Sequence, residues 1–470
     1  MSDGPKTFSV APERVQALNE AEANTDGKFV LYWMQHGQRA HDNPALEYAV
    51  RFANDLDLPA VVGFVFASQK EFPKGDERAT VRRYKFQLEG LEEVADRLAE
   101  RDIKFLLFHG DPAKKIADFA ADNDAAAVVC DRGYLRRERD WRETLAGELD
   151  VPLVQIEGEV VVPIETTSDK REYAARTIRD KVMEHVEDFE GETSESKLKN
   201  ASKRMHLSGD LDFSSVSAVL DALSPDDSVG PAPDLTGGTS EARKHLSSFL
   251  RGDLDGYDDG RLDPNDDATS HLSAYLHFGQ ISPMEVVRKV RDSSAPKDDR
   301  DAFLEELIVR RELSKNFVYY ARDTYDSLKA LPDWAAETLA EHKSADRPDH
   351  YTRGELEQGK TDDEAWNAAM REMRNRGFLP NYMRIYWGKQ IIRWTNTPDY
   401  AHETALYLNN KYFLDGYDAN SYANVLWLFG LHDRAWQERD VYGKVRTMTK
   451  GGMEGKFDVE AYVERVREKY

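Results

Sequence analysis

Five short apolar runs set the architecture of the first third of this chain. KFVLYWM (28–34), AVVGFVF (60–66), IKFLLFH (103–109), AAAVVC (125–130) and PLVQIEG (152–158) read as strands buried on both faces. NPALEYAVRFAND, VRRYKFQLEGLEEVADRLAERD and LRRERDWRETLAGEL, lying between them, read as amphipathic helices. Such alternation predicts a doubly wound parallel sheet with helices on both sides and ligands at the carboxyl ends of the strands. The first run is followed by WMQHGQRAHDNP and not by G-x-G-x-x-G, which argues against a dinucleotide-binding turn there.

At 470 residues the chain exceeds what one core usually supports, so two domains are expected. The first 26 residues read as a flexible lead-in with one helical turn, and the α/β domain spans 27–165. Residues 166–240 read as an interdomain linker, rich in Ser, Gly, Pro and acid from about Asp188 onward. Every strongly periodic segment after that is helical, so 241–470 forms an all-α domain. No run is long enough to cross a bilayer, and the N-terminus carries no secretory signal. Cys130 is the single cysteine, which excludes an internal disulfide and a cysteine metal cluster. A cytoplasmic protein without a metal is the expectation. The net charge of −23 fits either an ordinary solvated surface or adaptation to a salty cytoplasm.

Four clusters in the helical part carry polar chemistry. YMRIYWGKQIIRW (382–394) sets Trp387 and Trp394 two helical turns apart on one face, with Arg384 one turn ahead. Trp334, Trp366, Trp427 and Trp436 lie in the same domain. Plain core packing would account for any one of them. Their charged neighbours, with Asn409 and Asp415 following, favour a ligand-lined cavity in which Asp415 could pair Arg384. In ATSHLSAYLHFGQISP, Thr269, Ser270 and Ser273 suit a phosphate or an ordinary helix cap. FLEELIVRRELSKNF carries Glu305, Glu306, Arg310, Arg311 and Glu312, either as exposed ion pairs or with a carboxylate facing a cavity. From Leu431 to Lys456 six basic residues outnumber four acids, interleaved with Trp436 and Tyr442. That suits phosphates beside a stacking surface, or a solvated edge.

Together, and in this order, these clusters resemble the DNA photolyase and cryptochrome family, specifically its class II cyclobutane pyrimidine dimer photolyases. The resemblance runs from LYWMQHGQRAHDNPALEYA to FDVEAYVERV and includes EYAARTIRDK, HLSAYLHFGQISP, EELIVRRELSKNF, YLNNKYFLDGYD and HDRAWQER. It implies an N-terminal α/β antenna domain, a linker, and a helical domain that binds FAD and repairs UV-damaged DNA in light. An antenna chromophore is implied too, with a deazaflavin ahead of a folate.

By the same resemblance Trp387, Trp366 and Trp394 match the electron-transfer tryptophans. Tyr257, Thr269, Ser270, Leu272 and Ser273 match flavin and phosphate contacts. Arg384 and Asp415 match the ion pair beside the flavin, and Asn409 the asparagine that hydrogen-bonds it. Glu306 matches the dimer-binding acid. Trp427 and Trp436 would pack on a flipped-out dimer, with Arg261, Arg434 and Arg446 near the DNA backbone. No membrane and no obligate protein partner are expected, and a monomer is the default. The rival implied by the same fold is a blue-light-sensing cryptochrome without repair.

Overall fold

A computed structural model describes residues 7–8, 10–72 and 78–470. Its strands are β1 (Thr7–Phe8), β2 (Val15–Ala17), β3 (Phe29–Met34), β4 (Ala60–Ala67), β5 (Lys104–Gly110), β6 (Ala125–Asp131), β7 (Leu153–Ile156) and β8 (Glu192–Thr193). Six of them form one sheet in the order β2-β7-β6-β3-β4-β5, parallel throughout except for β2, which pairs antiparallel with β7. The central strand β3 shows why the apolar runs contain no polar position. Val30, Tyr32 and Met34 pack into one core with the helices Pro44–Asp55 and Val81–Glu100. Phe29, Leu31 and Trp33 point the other way, into a core shared with Ile116, Phe119 and Leu145. Strand side chains alternate, so a sheet covered on both faces needs apolar residues at every position. Pro112–Asp122, capped by Asp111, is a further helix on this side, missing from the sequence expectation. Cys130 is buried in β6, and burial pushes its thiol up to about 12.

Two expectations about the connecting segments need correction. Residues 1–6 and 9 of the lead-in lie outside the described residues, but the rest is not a flexible tail. Beyond the Pro12–Arg14 turn, β2 joins the sheet, and the buried Arg14 guanidinium donates to the carbonyls of Glu157 (2.7 Å), Val160 (3.1 Å) and Val161 (2.7 Å). The linker expected over 166–240 holds two helices: Ala175–Phe189 packs into a core with Phe249, Phe303 and Ile308 of the helical domain, and Val216–Leu223 packs against Leu88 and Leu91 of the α/β domain. Leu211 N–H donates to Leu107 O (3.2 Å) and His109 N–H to Asp210 (3.0 Å), which covers the open edge of β5. A Cβ on Gly209 would lie 2.1 Å from Leu107 O, so only glycine allows this approach.

The loop after β3 has a physical reason not to hold a phosphate. Backbone N–H groups of Gln35, His36 and Gly37 all donate to one oxygen of Asp131, at 2.7, 2.9 and 3.0 Å. The donors a dinucleotide turn would offer its ligand are already taken by a carboxylate.

Arginines of the α/β domain hold the helical domain in place. Arg82 donates to the carbonyls of Tyr412 (2.7 Å) and Arg374 (2.6 Å). Arg83 donates to those of Leu414 (3.0 Å) and Gly416 (2.9 Å). These contacts satisfy carbonyls at and beyond helix C-termini. They also fix the segment that carries Asp415.

Candidate active site

The helical domain encloses a cavity of about 520 Å³. The helix Asn381–Trp394 supplies Asn381, Arg384, Ile385 and Trp387 to one wall. Arg384 Nη2 donates to Asp415 Oδ1 at 3.1 Å, and its guanidinium lies 3.8 Å from the centre of the Phe413 ring. Asn409, buried on the neighbouring helix Pro398–Tyr412, also faces the cavity and donates to Asn410 Oδ1 at 3.0 Å.

Thr269, Ser270, Leu272 and Ser273 line a second wall together with Tyr257. This stretch is held from behind by Asp267, which receives Arg376 Nη2 at 2.8 Å and pairs with His271. Burial alone would raise the Asp267 carboxyl, but the bonds from His271 and Arg376 outweigh it and hold it well below the usual range. The helix beginning at Ser273 is only five residues long, so the hydroxyls matter more here than a helix terminus does.

Glu306 enters from a π-helical turn, Glu305–Arg310, between the helices Lys297–Leu304 and Arg311–Tyr320. Arg311 N–H reaches back five residues to Glu306 O. The wide turn separates two adjacent acids. Glu305 faces Arg179 (2.7 Å), whereas Glu306 lines the cavity and accepts from Arg261 Nη1 at 2.9 Å. Arg261, expected near a DNA backbone, is thus a cavity residue.

Trp427, the last residue of the helix Ala419–Trp427, closes the cavity on another side. Trp436 does not line it and is 38% exposed. Arg446 joins the two indoles, 5.4 Å from the Trp427 ring and 4.2 Å from the Trp436 ring, with Nε donating to Asp433 at 2.8 Å. Arg446 is therefore engaged within the protein. Arg434 stays exposed, 4.9 Å from the Trp436 ring.

The indoles of 366, 387 and 394 share one core beside the cavity. Trp366 Nε1 donates to Trp387 O at 2.9 Å, and the Trp366 and Trp394 rings lie 5.6 Å apart. Tyr351, which the sequence reading missed, continues the row at 5.3 Å from Trp394 and reaches exposed Asp362. Asn420 and Asn424 were missed as well, although their i, i+4 spacing ahead of Trp427 could have placed them on one face. His277 had no readable signal; it borders both this cavity and a smaller one of about 140 Å³ at the carboxyl ends of β3 and β4.

Residues 30–200 match the model of the DNA photolyase family. The chain is 43% identical to a deoxyribodipyrimidine photo-lyase of Methanothermobacter thermautotrophicus, over 97% of this chain and 98% of that one. The chain belongs to the DNA photolyase family. A photolyase-family enzyme of the same name from Potorous tridactylus is 34% identical, over 98% of this chain and 85% of the relative. The photolyase fold is seen again in the solved structures of a class III photolyase of Agrobacterium tumefaciens and a cryptochrome of Synechocystis. Their TM-scores are 0.67 and 0.73, with 19% and 16% identity, covering 95% and 93% of this chain and 88% of each of theirs.

Photolyase family membership implies FAD and an antenna chromophore. The large cavity fits the first on its own evidence. Thr269 Oγ1, Arg384 Nε and Arg261 Nε are buried at its walls without a hydrogen-bond partner among the described residues. Buried polar atoms are rarely left so, and a polar ligand would satisfy them. The volume also falls within the roughly 300–1,000 Å³ of small-molecule sites. Among the described residues no helix is long and apolar enough to cross a membrane.

Proposed function

We propose that this chain is a class II member of the family that splits cyclobutane pyrimidine dimers in UV-damaged DNA, with the large cavity as its FAD site. The observation that carries the reading is the convergence of three kinds of group on one space. The Thr269 hydroxyl and the Nε atoms of Arg261 and Arg384 stand at its walls without a partner among the described residues, Glu306 and Trp427 border it, and an indole row backs it.

When bound and reduced, FAD supplies the light-excited electron that opens the cyclobutane ring. The chain's own residues prepare that event. Thr269, Ser270 and Ser273 offer hydroxyls to phosphate, with Tyr257 and Leu272 packing beside them. Arg384, oriented by Asp415, and Asn409 offer N–H donors to a ring system. Turning a dimer out of the duplex costs a few kcal/mol, least where the lesion already weakens stacking. Trp427 gives the extruded bases an apolar surface, and the Glu306 carboxylate accepts from their N–H edge. Trp366 and Trp394 extend from Trp387 toward the surface and carry electrons inward.

Purified protein with its flavin absorbance is expected to remove thymine dimers from irradiated DNA under blue light and not in the dark. Flavin-loaded protein without light-dependent repair would defeat the reading and favour a cryptochrome. At the rim, Arg434 is the better phosphate contact, because Arg446 is bound to Asp433. Arg434→Ala is expected to lower the slope of log K against log salt by about one. Arg446→Ala should weaken dimer binding with little change in slope; titrations at several salt concentrations separate the two.

For the antenna, a deazaflavin in the smaller cavity is proposed ahead of a folate. Phe64, Phe66 and Trp33 give that cavity apolar walls at the strand ends. Absorbance of the extracted chromophores decides between the two.

A further inference from the structure

Lys389 stands on the same helix as Trp387 and has no place in the chemistry above. Its side chain is fully buried. Nζ donates to Leu428 O at 2.5 Å and lies 5.5 Å from the centre of the Trp427 ring. Leu428 is the C-terminal cap just beyond the helix Ala419–Trp427. The last carbonyls of a helix have no partner within it and concentrate its negative pole, so a cation there is doubly favoured. Tyr442 OH donates to the Lys389 carbonyl at 2.9 Å, tying the same point to the basic segment. At the adjacent Gly388 a Cβ would lie 2.3 Å from Leu428 Cδ1, so the two segments touch without a gap.

We infer that Lys389 is a positioning residue for the dimer: its ammonium caps the Trp427 helix and holds the Trp427 indole at the cavity wall. The inference deepens the reading of Trp427 as the surface that receives the extruded bases and rests on it. The groups that bear on the ammonium are Asp433, which favours its charge, and Arg446, which opposes it. Arg446 lies against the other indole, so the two cations hold Trp427 and Trp436 in a single arrangement. Burial is the largest influence and brings the amine down to about 7 from its ordinary 10.5. A plain structural contact at this depth would be served better by an apolar side chain, which carries no desolvation cost.

The test compares wild type with Lys389→Met, which keeps the length and loses the charge. With 5-fluorotryptophan incorporated, the Trp427 resonance, assigned with W427F, is expected to shift between about pH 6 and about pH 9 in wild type and to stay fixed in the variant. Preference for dimer-containing over undamaged DNA should fall about tenfold, which corresponds to about 1.4 kcal/mol. Light-driven reduction, which depends on the indoles of 366, 387 and 394 and not on Trp427, should be unchanged.

Thermal unfolding adds a sign. Between about 7 and 10.5 the unfolded chain binds the proton that the folded one has lost, so wild-type stability rises with pH through that window and the variant lacks this rise. A wild-type Trp427 resonance indifferent to pH, or a variant with undiminished dimer preference, overturns the proposal. Parallel loss of dimer preference and light-driven reduction makes Lys389 merely structural and also overturns it. Absence of any dimer preference in wild type removes the reading of the cavity itself.

Discussion

Trp387→Phe is expected to abolish most light-driven reduction of the bound chromophore while leaving repair by chemically reduced protein nearly intact. Trp387 is the member of the indole row that lines the cavity, and Trp366 and Trp394 stand behind it. Phenylalanine is far harder to oxidise than an indole, so the substitution opens a gap at the step nearest the cavity. The architecture should survive. Trp366 Nε1 bonds the backbone carbonyl of residue 387, which the variant keeps. The side-chain bond lost is the one from Trp387 Nε1 to Met370 Sδ, 3.0 Å. A ring is retained, so the cost should be well below the roughly 3–5 kcal/mol of a Trp→Ala truncation. The measurement is flavin absorbance under illumination with an external reductant, beside repair after reduction by dithionite. Normal photoreduction in the variant would remove Trp387 from the row.

Glu306→Gln is expected to lower the rate of dimer repair by on the order of tenfold to a hundredfold, the scale of removing one well-placed polar group from a reacting centre. The carboxylate can only accept hydrogen bonds, and Arg261 at 2.9 Å orients it toward the cavity. Glutamine keeps the volume but halves the acceptor capacity and removes the charge. The informative control is one residue away. Glu305 faces Arg179 and Arg310, so Glu305→Gln should leave repair unchanged and affect only stability, slightly. Single-turnover repair of a dimer-containing oligonucleotide, alongside its binding constant, distinguishes lost affinity from lost rate. Equal effects at 305 and 306 would mean that the π turn does not select between them.

Much of the framework was legible because burial leaves a periodic trace. The five runs became β3 to β7, since a strand covered on both faces has no polar position to offer. Trp387 and Trp394 fell in one core, as two turns of one helix require. Thr269, Ser270, Arg384, Asn409, Asp415 and Glu306 meet around one cavity, although their segments are far apart in the chain. The connecting segments and the partners of charged residues were not legible, for identifiable reasons. The lead-in and linker are polar because they lie over the surfaces of both domains, and surface segments that dock look much like segments that do not. Arg261 and Arg446 are basic residues whose partners, Glu306 and Asp433, lie 45 and 13 positions away. Charge in the sequence carries no record of whether it is already engaged.

What residue order determined alone is which face of each element must leave water: alternation in the strands, the seven-residue spacing of two indoles, the hydroxyls ahead of a short helix. Periodicity states that a face is buried and is silent about what covers it. Only tertiary structure decided that Glu306 and not Glu305 turns inward, since a π turn has no compositional mark. Only tertiary structure placed Trp366, from another helix, beside both Trp387 and Trp394, and set the Lys389 ammonium under the end of the Trp427 helix. Those are pairings between distant segments. Their energies depend on distance and desolvation, which exist only once the chain has closed on itself.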